Sequence, residues 1–534
     1  MTARTRHRVP RAVAAIVAIA ACQGDRRAPL SAPTHDPRAL RVAFDQAIAT
    51  LDPVDANSEP SLAVLAHTCD TLVAYRPARE LLDRTLGGGD DLVPQLATSW
   101  TISPDGLDYA FELRDARFPD GQPLTSAVVK RSLERVSHSE TSPFGSFLSA
   151  LRDSEAIEAP DPRHVVFHLA HADPTFLYVL AMKMAAPVST PAPGGSPQDP
   201  GCIGPFVVER WDPGIELVLA RTPGYWDTRA HGVDRIEIQE QVPLESAMLL
   251  FERGDIDLLD RPAAPDYLWL RSRSDWAPYL LARPALNTAG LVLDTAAGPF
   301  ADRRVREAVS QAIDRSHLAR LLQARVLIAG SPTPPILAGH DARVAPPPHD
   351  VEGARALLAQ AGYPDGFEVD FVTFQSDEQR AISASIQADL AAIGIRAQVR
   401  ALGFAAYYAE LAQPSPTRVA FVAWSFDLPD PRGMLEPQFH SRSIVPGQVS
   451  NLARFADATV DKLLDDAGAA VAMDRRAALY ASVDRALARE VPWVWLYHYV
   501  YVEARQPYVQ GYTPHPIWGR DFRDVRIARQ PGGE

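Results

Sequence analysis

The chain has 534 residues, which is long enough for two to four domains. Of these residues 46% are hydrophobic and 22% charged, a composition typical of a globular protein. Its formal net charge is −13, and because residues 1–21 carry four arginines and no acid, the remainder carries −17. A surface that acidic repels phosphate backbones, which excludes nucleic acid as the expected partner.

The N-terminus has the features of a targeting segment. A basic stretch ending at Arg11 precedes an apolar run over Ala12–Ile19. Ile19-Ala20-Ala21-Cys22 then resembles a bacterial lipobox, whose cysteine takes a diacylglycerol; a chance cysteine in an apolar leader is the alternative. We predict a lipoprotein signal peptide over residues 1–22 and a polar tether over residues 23–37. No other run approaches the ~20 apolar residues that span a bilayer, so we expect a soluble mature chain anchored to a membrane by lipid.

Two cysteines remain once Cys22 is lipidated, Cys69 and Cys202. They are too few for a structural zinc site. An even pair in an oxidising compartment favours a disulfide, and two buried free thiols are the alternative.

The first elements after the tether are a strand and a helix. Arg41–Phe44 is typical of a short strand, and Ser58 predicts the N-cap of a helix that runs through Thr71. Cys69 therefore lies near the end of that helix.

Residues 92–136 predict a strand, a turn and a helix. Tyr109, Phe111 and Leu113 alternate with more polar residues, which is the pattern of a half-buried strand. Pro119-Asp120-Gly121 is a turn signal. Thr125 then caps a helix that carries Val128, Val129 and Leu133 on one side.

The order of residues in this segment resembles the signature region of the family 5 solute-binding proteins, which are extracytoplasmic receptors of ABC importers. The resembling segments are LVPQLATSW, DGLDYAFELR and FPDGQPLT. Further matches are LDP (51–53), PGYW (223–226), PFADRRVR (299–306) and AGYPDGF (361–367).

Three histidines, His164, His168 and His171, invite a metal hypothesis. The stretch HVVFHLA is typical of a strand, and at ~3.3 Å per residue His164 and His168 would lie about 13 Å apart. That is too far to share one ion, so we predict no metal site.

The next elements belong to a hairpin and a helix. Phe206–Trp211 and Ile215–Ala220 flank the turn Asp212-Pro213-Gly214. Ala247–Arg253 predicts a helix that Gly254 ends.

A second lobe is expected from about residue 286. One helix is predicted from Pro299 through Arg315, where the arginines favour a solvated face over an anion site. Asp350 predicts the N-cap of a helix over Val351–Ala361. Next, a strand, a helix and a strand predict a parallel β-α-β unit with these bounds: Phe367–Thr373, Ile382–Ala392 and Ile395–Val399.

The C-terminal part combines a buried strand, two helices and an aromatic strand. Their predicted bounds are Val419–Trp424, Thr459–Ala470, Arg475–Arg489 and Val491–Val502. The aromatic strand is expected to cross back into the first lobe.

The resemblance implies an α/β fold of two lobes, the periplasmic-binding-protein fold, with an extra subdomain inserted in the first lobe. The expected parts are lobe I (38–58, 186–285 and 493–534), the inserted subdomain (59–185) and lobe II (286–492). Ligand would bind between the lobes and close them by hinge motion.

The same resemblance implies a ligand site. WSFDLPDP (Trp424–Pro431) resembles a family motif whose first aspartate, here Asp427, binds the α-amino group of a peptide; an aspartate that forms a turn beside two prolines is the alternative. Trp424 and Ser425 would flank it, and residues 57–59 would face it from the other lobe. The candidate ligand-binding residues are Asp427, Trp424, Ser425, Asn57, Ser58, Glu59 and Phe404.

The implied function is capture of di- or oligopeptides for an ABC importer by a lipid-anchored, monomeric protein on the periplasmic side of the envelope, in contact with the permease subunits of that importer. A non-peptide solute, such as a nickel chelate, an opine or a sugar, is the alternative. The chain lacks G-x-S-x-G, H-E-x-x-H and Walker motifs, so neither an enzyme nor a cofactor is expected.

Overall fold

A computed structural model describes residues 28–139, 142, 145–151, 154–189, 201–228, 232–323, 325–517 and 519–528. The predicted signal peptide, its lipobox Cys22 and the first five residues of the tether lie outside the described residues. The protein has both helices and strands, and the strands form several sheets.

The N-terminal third contains an antiparallel sheet of its own. In chain order the elements are β1 (Ala39–Ala43), α1 (Glu59–Thr68), β2 (Val73–Tyr75), α2 (Ala78–Leu81), β3 (Leu92–Pro94), β4 (Ala97–Ile102), β5 (Asp108–Leu113), α3 (Ser126–Ser137), β6 (Ile157–Asp161), β7 (His164–His168) and α4 (Phe176–Ala181). Strands β4, β5, β7 and β6 are neighbours in that order. This sheet lies in the chain between two members of another sheet, so it is an insertion.

The predictions for this region are confirmed at the level of single elements. Tyr109, Phe111 and Leu113 are the buried side of β5. Thr125 caps α3 by accepting a hydrogen bond from the Val128 N–H at 3.4 Å. Helix α1 is capped by Ser58 as predicted and ends at Thr68, three residues earlier than expected.

A second sheet joins β1 to the strands that follow the insertion. The next elements are β8 (Phe206–Asp212), β9 (Glu216–Arg221), β10 (Arg235–Gln239), α5 (Leu244–Arg253), β11 (Leu258–Asp260), α6 (Ala264–Ser272) and β12 (Leu280–Pro284). The sheet order is β1-β10-β9-β8, with β1 and β10 parallel. The predicted hairpin of β8 and β9 is confirmed, and so is the helix end at Gly254, whose φ of 76° suits glycine.

The remaining chain forms most of a large sheet, its covering helices and a separate two-stranded sheet near the C-terminus. Its elements are β13 (Asn287–Leu293), α7 (Arg303–Ala312), α8 (Arg315–Leu321), β14 (Val326–Ile328), α9 (Val351–Gln360), β15 (Glu368–Phe374), α10 (Asp377–Ala392), β16 (Arg396–Leu402), α11 (Phe404–Leu411), β17 (Arg418–Ser425), α12 (Arg432–Phe439), α13 (Ala458–Ala469), α14 (Met473–Glu490), β18 (Trp493–Arg505), β19 (Val509–Gln510) and β20 (Arg526–Ile527). The sheet order is β11-β18-β13-β17-β15-β16, and β12 and β14 also pair with β18. The predicted parallel pairing of β15 with β16 is confirmed.

One predicted helix is two helices in the structure. The expected helix through Arg315 is interrupted at Ile313–Asp314, between α7 and α8. The cause is local, because the Asp314 carboxylate accepts a hydrogen bond from the His317 N–H and so caps a new helix.

Strand β18 runs from the large sheet to the first lobe. Trp493–Tyr497 pairs with β13, whereas Val500–Arg505 pairs with β12 and β11. The sequence predicted that the last segment of lobe I begins at Trp493. The strand pairing instead places the change from the large sheet to lobe I inside β18, between Tyr497 and Val500. Beyond it, Val509 and Phe522 pack in one core with Leu40 of β1, so the C-terminal tail completes the first lobe.

Cys69 and Cys202 form a disulfide in the structure, with a sulfur–sulfur distance of 2.09 Å. Cys69 follows the last residue of α1. Cys202 lies ahead of β8 and forms an isolated backbone β-bridge with Val188. Both cysteines are buried with Leu65 in a small apolar cluster. The bond therefore joins the end of the first helix to the chain that leaves the insertion.

The histidines of β7 lie apart on the strand and have acidic neighbours. The imidazole Nδ1 of His164 lies 2.8 Å from Asp161 Oδ2, and that of His168 lies 2.7 Å from Asp108 Oδ1. Within the described ranges no group of three metal-ligating side chains occurs, and none of the described helices combines the length and apolarity needed to cross a membrane.

Candidate ligand-binding cleft

A cleft of about 500 Å³ lies between the large sheet on one side and the N-terminal and inserted elements on the other. That volume lies within the range of small-molecule sites. Its apolar lining consists of Leu62, Tyr75, Phe147, Met182, Met184, Ala285, Leu286, Phe426, Tyr501, Pro516 and Ile517. Its polar lining consists of Asn57, Glu59, Lys183, Arg283, Asn287, Ser425, Asp427 and Gly519.

Asp427 reaches the cleft because β17 ends two residues before it. Residues 418–422 are buried in the sheet, and β17 ends at Ser425. The Phe426 N–H then donates to the Leu286 carbonyl at 2.8 Å, which ties the strand end to the segment before β13. Phe426 is buried, so the next side chain, Asp427, faces the cleft and is exposed there.

The Asp427 carboxylate has neither a hydrogen bond nor an ion pair with any residue that the structure describes. Because the surrounding walls reduce its hydration, the pKa of Asp427 is raised above its ordinary value. A carboxylate that is partly desolvated and unpaired is poised to bind a cation or a hydrogen-bond donor.

Asp430, the second aspartate of the same segment, has a different environment. It is buried, and its two oxygens accept hydrogen bonds from Arg476 Nε and Nη2 at 2.9 and 3.0 Å. This bidentate pair holds the segment against α14. The two aspartates therefore differ in role, with Asp430 structural and Asp427 available.

The other two predicted residues of β17 differ in whether they line the cleft. Ser425 lines the cleft. Trp424 lies outside the lining, since its indole N–H donates to the Gly433 carbonyl at 3.0 Å and holds the start of α12.

Two of residues 57–59 lie on the wall that faces Asp427, where the sequence predicted all three. Asn57 and Glu59 line the cleft. Ser58 does not, because its hydroxyl accepts a hydrogen bond from the Ser61 N–H and caps α1. Glu59 is paired with Arg261, with 3.0 Å between Oε2 and Nη1.

Phe404 is not brought to the cleft. It starts α11 after the edge strand β16, two strands away from β17 in the sheet order. Its side chain is 76% exposed and contacts Tyr408, with 4.7 Å between the ring centres. Strand order, which the sequence pattern does not contain, separates it from Asp427.

Two cationic residues of the cleft, Lys183 and Arg283, were missed by sequence reasoning. The Lys183 ammonium donates to the Cys69 carbonyl at 2.8 Å, and burial lowers its pKa to about 8. Arg283 is 6% exposed, and its guanidinium lies over the Tyr501 ring at 4.7 Å. Neither residue lies in a recognisable motif. For Lys183 the only signal in the sequence was weak, namely that lysine occurs only three times in the chain. For Arg283 there was none.

A buried network of charges supports the Arg283 side of the cleft. Arg520 and Arg261 both donate to Asp260. Burial disfavours the Asp260 carboxylate, yet the facing charges of Arg520 and Arg261 outweigh burial and lower its pKa. Glu503 accepts a hydrogen bond from the Tyr512 hydroxyl, and burial together with the charge of Asp260 raises its pKa.

Comparison with known proteins gives one consistent match. Residues 91–445 match the family model described as bacterial extracellular solute-binding proteins, family 5 Middle. The chain is 28% identical to heme-binding protein A of Haemophilus influenzae over 471 residues, which covers 82% of this chain and 85% of that protein. It is 27% identical to di/tripeptide-binding protein 2 of Pseudomonas aeruginosa over 525 residues, 92% of this chain and 95% of that one.

Solved structures agree on the fold. The periplasmic binding protein DppA from Helicobacter pylori, in complex with the peptide STSA, superposes with a TM-score of 0.75 at 24% identity. The superposition covers 92% of this chain and 98% of that one. The two-lobed periplasmic-binding-protein fold expected from the sequence is therefore confirmed.

Proposed function

The chain belongs to the bacterial extracellular solute-binding proteins of family 5, and from that premise we propose that it captures di- and tripeptides between its two lobes and delivers them to an ABC importer. The relative from Pseudomonas aeruginosa named a di/tripeptide-binding protein, which matches over nearly its whole length, supports this ligand class.

The observation that carries the proposal is the unpaired carboxylate of Asp427 in the cleft. A zwitterionic peptide brings an ammonium group that loses water as the lobes close. Burying that charge unpaired is prohibitive, so the pocket needs a fixed carboxylate. Asp427 fills that role, with Ser425 beside it and Asn57 and Glu59 on the facing wall.

A thermal-shift screen tests the function. The panel contains dipeptides and tripeptides of varied composition, heme, a nickel chelate, an opine and a sugar. A true ligand stabilises the folded protein by RT ln(1 + [L]/Kd), about 2.7 kcal/mol at a hundredfold excess over Kd. We expect short peptides to raise the melting temperature; stabilisation by a non-peptide alone would refute the assignment.

A second candidate is capture of a non-peptide solute by the same fold. It is favoured by the relative from Haemophilus influenzae, which is named a heme-binding protein. The same panel separates the candidates, because heme and peptide are measured side by side on one protein.

We further propose how the protein serves the importer and how its lobes are built. The protein acts as a monomer, without catalysis or cofactor, and its closed form is recognised by the membrane subunits of the importer. A separate ATPase drives transport. Lobe I is formed by residues 38–58, 186–285 and the chain from the crossing inside β18 to residue 534, the inserted subdomain by 59–185, and lobe II by the chain from residue 286 to that crossing.

We also propose that Cys22, which lies outside the described residues, is the lipidated N-terminus of the mature protein. Replacement Cys22→Ser is expected to abolish lipidation and move the protein from the detergent phase to the aqueous phase in phase partitioning. Ser31→Ala, a substitution in the tether that leaves the lipobox intact, is the control and should leave partitioning unchanged. A Cys22→Ser protein that still partitions into detergent would count against lipidation.

A further inference from the structure

Arg283 is a cation whose hydrogen-bond donors are unused. It lies on β12, lines the cleft and is 6% exposed. Its guanidinium makes no hydrogen bond to a described residue, and its fully buried Nε has no hydrogen-bond partner among them. Five N–H groups of a guanidinium normally find acceptors when buried, because leaving them unmade costs free energy.

The neighbours of Arg283 do not satisfy it. Glu503 Oε1 lies 3.8 Å from Nε, beyond hydrogen-bond distance, and its other oxygen accepts from the Tyr512 hydroxyl. Burial and the charge of Asp260 raise the pKa of Glu503, and the charge of Arg283 only partly opposes them. The Tyr501 ring covers one face of the guanidinium, which leaves its edge as the side that can bind a partner.

Two other arginines of this wall provide the contrast. Arg261 donates to Asp260 at 3.0 Å and pairs with Glu59, and Arg520 donates to Asp260. Both are therefore committed within the protein. Of the three, Arg283 is the one that lines the cleft and has no hydrogen bond to the described chain.

We propose that Arg283 binds the carboxylate of the ligand, so that the cleft selects short peptides with a free C-terminus, held at one end by Asp427 and at the other by Arg283. This inference rests on the proposed function. A guanidinium matches a carboxylate through two parallel N–H···O bonds, an interaction stronger than a neutral hydrogen bond.

The charge and shape of the cleft fit such a ligand. One unpaired anion and one unbonded cation line the same cavity of about 500 Å³, which complements a zwitterion and limits its length. In the same lining, Met182, Met184 and Leu286 offer an apolar and adaptable surface for side chains. Gly519 leaves room for the guanidinium, since a Cβ there would lie 3.1 Å from Arg283 Nη2.

Lys183 is the other cation of the lining, and it is a poorer anchor. Its ammonium is already bonded to the Cys69 carbonyl, and burial lowers its pKa to about 8. Burial thus disfavours the charge that a carboxylate would need.

Calorimetry with Ala-Leu-Ala, its C-terminal amide and its N-acetyl form tests the proposal. We expect wild type to bind the amide about 10- to 100-fold more weakly than the acid. Arg283→Gln should bind the acid as weakly as the amide, which removes the discrimination. Arg283→Lys should restore part of it, because a point charge remains without the two-bond geometry.

Controls separate binding from folding. Arg261→Gln removes a charge from the same wall and should keep the ratio between acid and amide. Arg283→Gln/Glu503→Gln removes both members of the loose ion pair, and its melting temperature shows whether loss of binding reflects loss of fold. A folded double variant that has lost the discrimination supports the role of Arg283.

The outcomes distinguish failure of the carboxylate anchor from failure of the peptide function. If Ala-Leu-Ala and a panel of other short peptides fail to bind wild type, the peptide function falls and this inference with it. If peptide binds and acetylation weakens it, but acid and amide bind equally, the function stands and Arg283 is not the carboxylate anchor. Retained discrimination in folded Arg283→Gln has the same meaning.

Discussion

Acetylation of the peptide α-amine is expected to weaken binding by about 2–5 kcal/mol, because it leaves the desolvated carboxylate of Asp427 without its cation. Asp427→Asn should cost a similar amount with the free peptide, since it leaves the ammonium without its anion. Calorimetry of Ala-Leu-Ala and N-acetyl-Ala-Leu-Ala on both proteins measures the four free energies.

The combination of both changes decides whether the two groups touch. If the ammonium binds Asp427, the substitution and the acetylation remove one interaction, so their effects are strongly non-additive. Asp427→Asn should then bind free and acetylated peptide almost equally. Additive losses would assign Asp427 to the turn beside Pro429 and Pro431 and not to the ligand.

Glu59→Gln is a matched control for charge. Glu59 is a carboxylate of the same cleft, but it is already paired with Arg261 at 3.0 Å. Its removal changes the field of the cleft and should preserve the discrimination between free and acetylated peptide. If Glu59→Gln abolishes that discrimination and Asp427→Asn does not, the residue that binds the peptide amine is Glu59, on the facing wall, and not Asp427.

The pH dependence of binding is an independent test of the contact between Asp427 and the peptide ammonium. The pKa of Asp427 is raised in the free protein by desolvation, whereas a bound ammonium favours the ionised form and lowers that pKa. Binding therefore releases a proton when the pH is low enough for Asp427 to hold one, and affinity should fall as the pH decreases. The part of this dependence that comes from Asp427 should disappear in Asp427→Asn and with the acetylated peptide, which leaves only the titration of the peptide carboxylate.

Local elements were predictable because their causes are local. The alternation of β5 reports which of its faces is buried, and Thr125 and Asp350 accept hydrogen bonds from their own helices. The β15-α10-β16 unit follows from strand and helix periods alone. Where a local signal was overlooked, as at Asp314, one helix was predicted instead of two.

The cleft was predictable only in part, because it is assembled from distant segments. Asp427 and residues 57–59 stood beside recognisable motifs. Arg283 and Lys183 lie on other elements. What marks Arg283 is that its guanidinium makes no hydrogen bond to the described chain, a property of tertiary packing. Phe404 shows the converse, since a residue near β17 in sequence is removed from the cleft by the strand order β17-β15-β16.

Loss of the disulfide is the largest expected change in stability. The bond between Cys69 and Cys202 has a sequence separation of 133 residues. The chain-entropy model assigns a loop of that size about 4–5 kcal/mol, because the bond restricts the unfolded chain. Chemical unfolding of the Cys69→Ala/Cys202→Ala variant should show a decrease of that order. Alkylation of the denatured wild-type mature protein without reductant should leave both cysteines unmodified in intact-mass analysis.

The single variants distinguish a bond from two buried thiols. If the sulfurs are bonded, Cys69→Ala and Cys202→Ala each remove the whole cross-link, so each should lose nearly as much stability as the double variant. Two independent thiols would instead give two small losses that add, since each substitution then deletes one buried sulfur from the cluster around Leu65. Alanine is the suitable replacement, because serine would bury a hydroxyl in that apolar cluster and add a cost unrelated to the bond. Additive single losses, or two alkylated thiols in the wild-type protein, would show that the disulfide does not form.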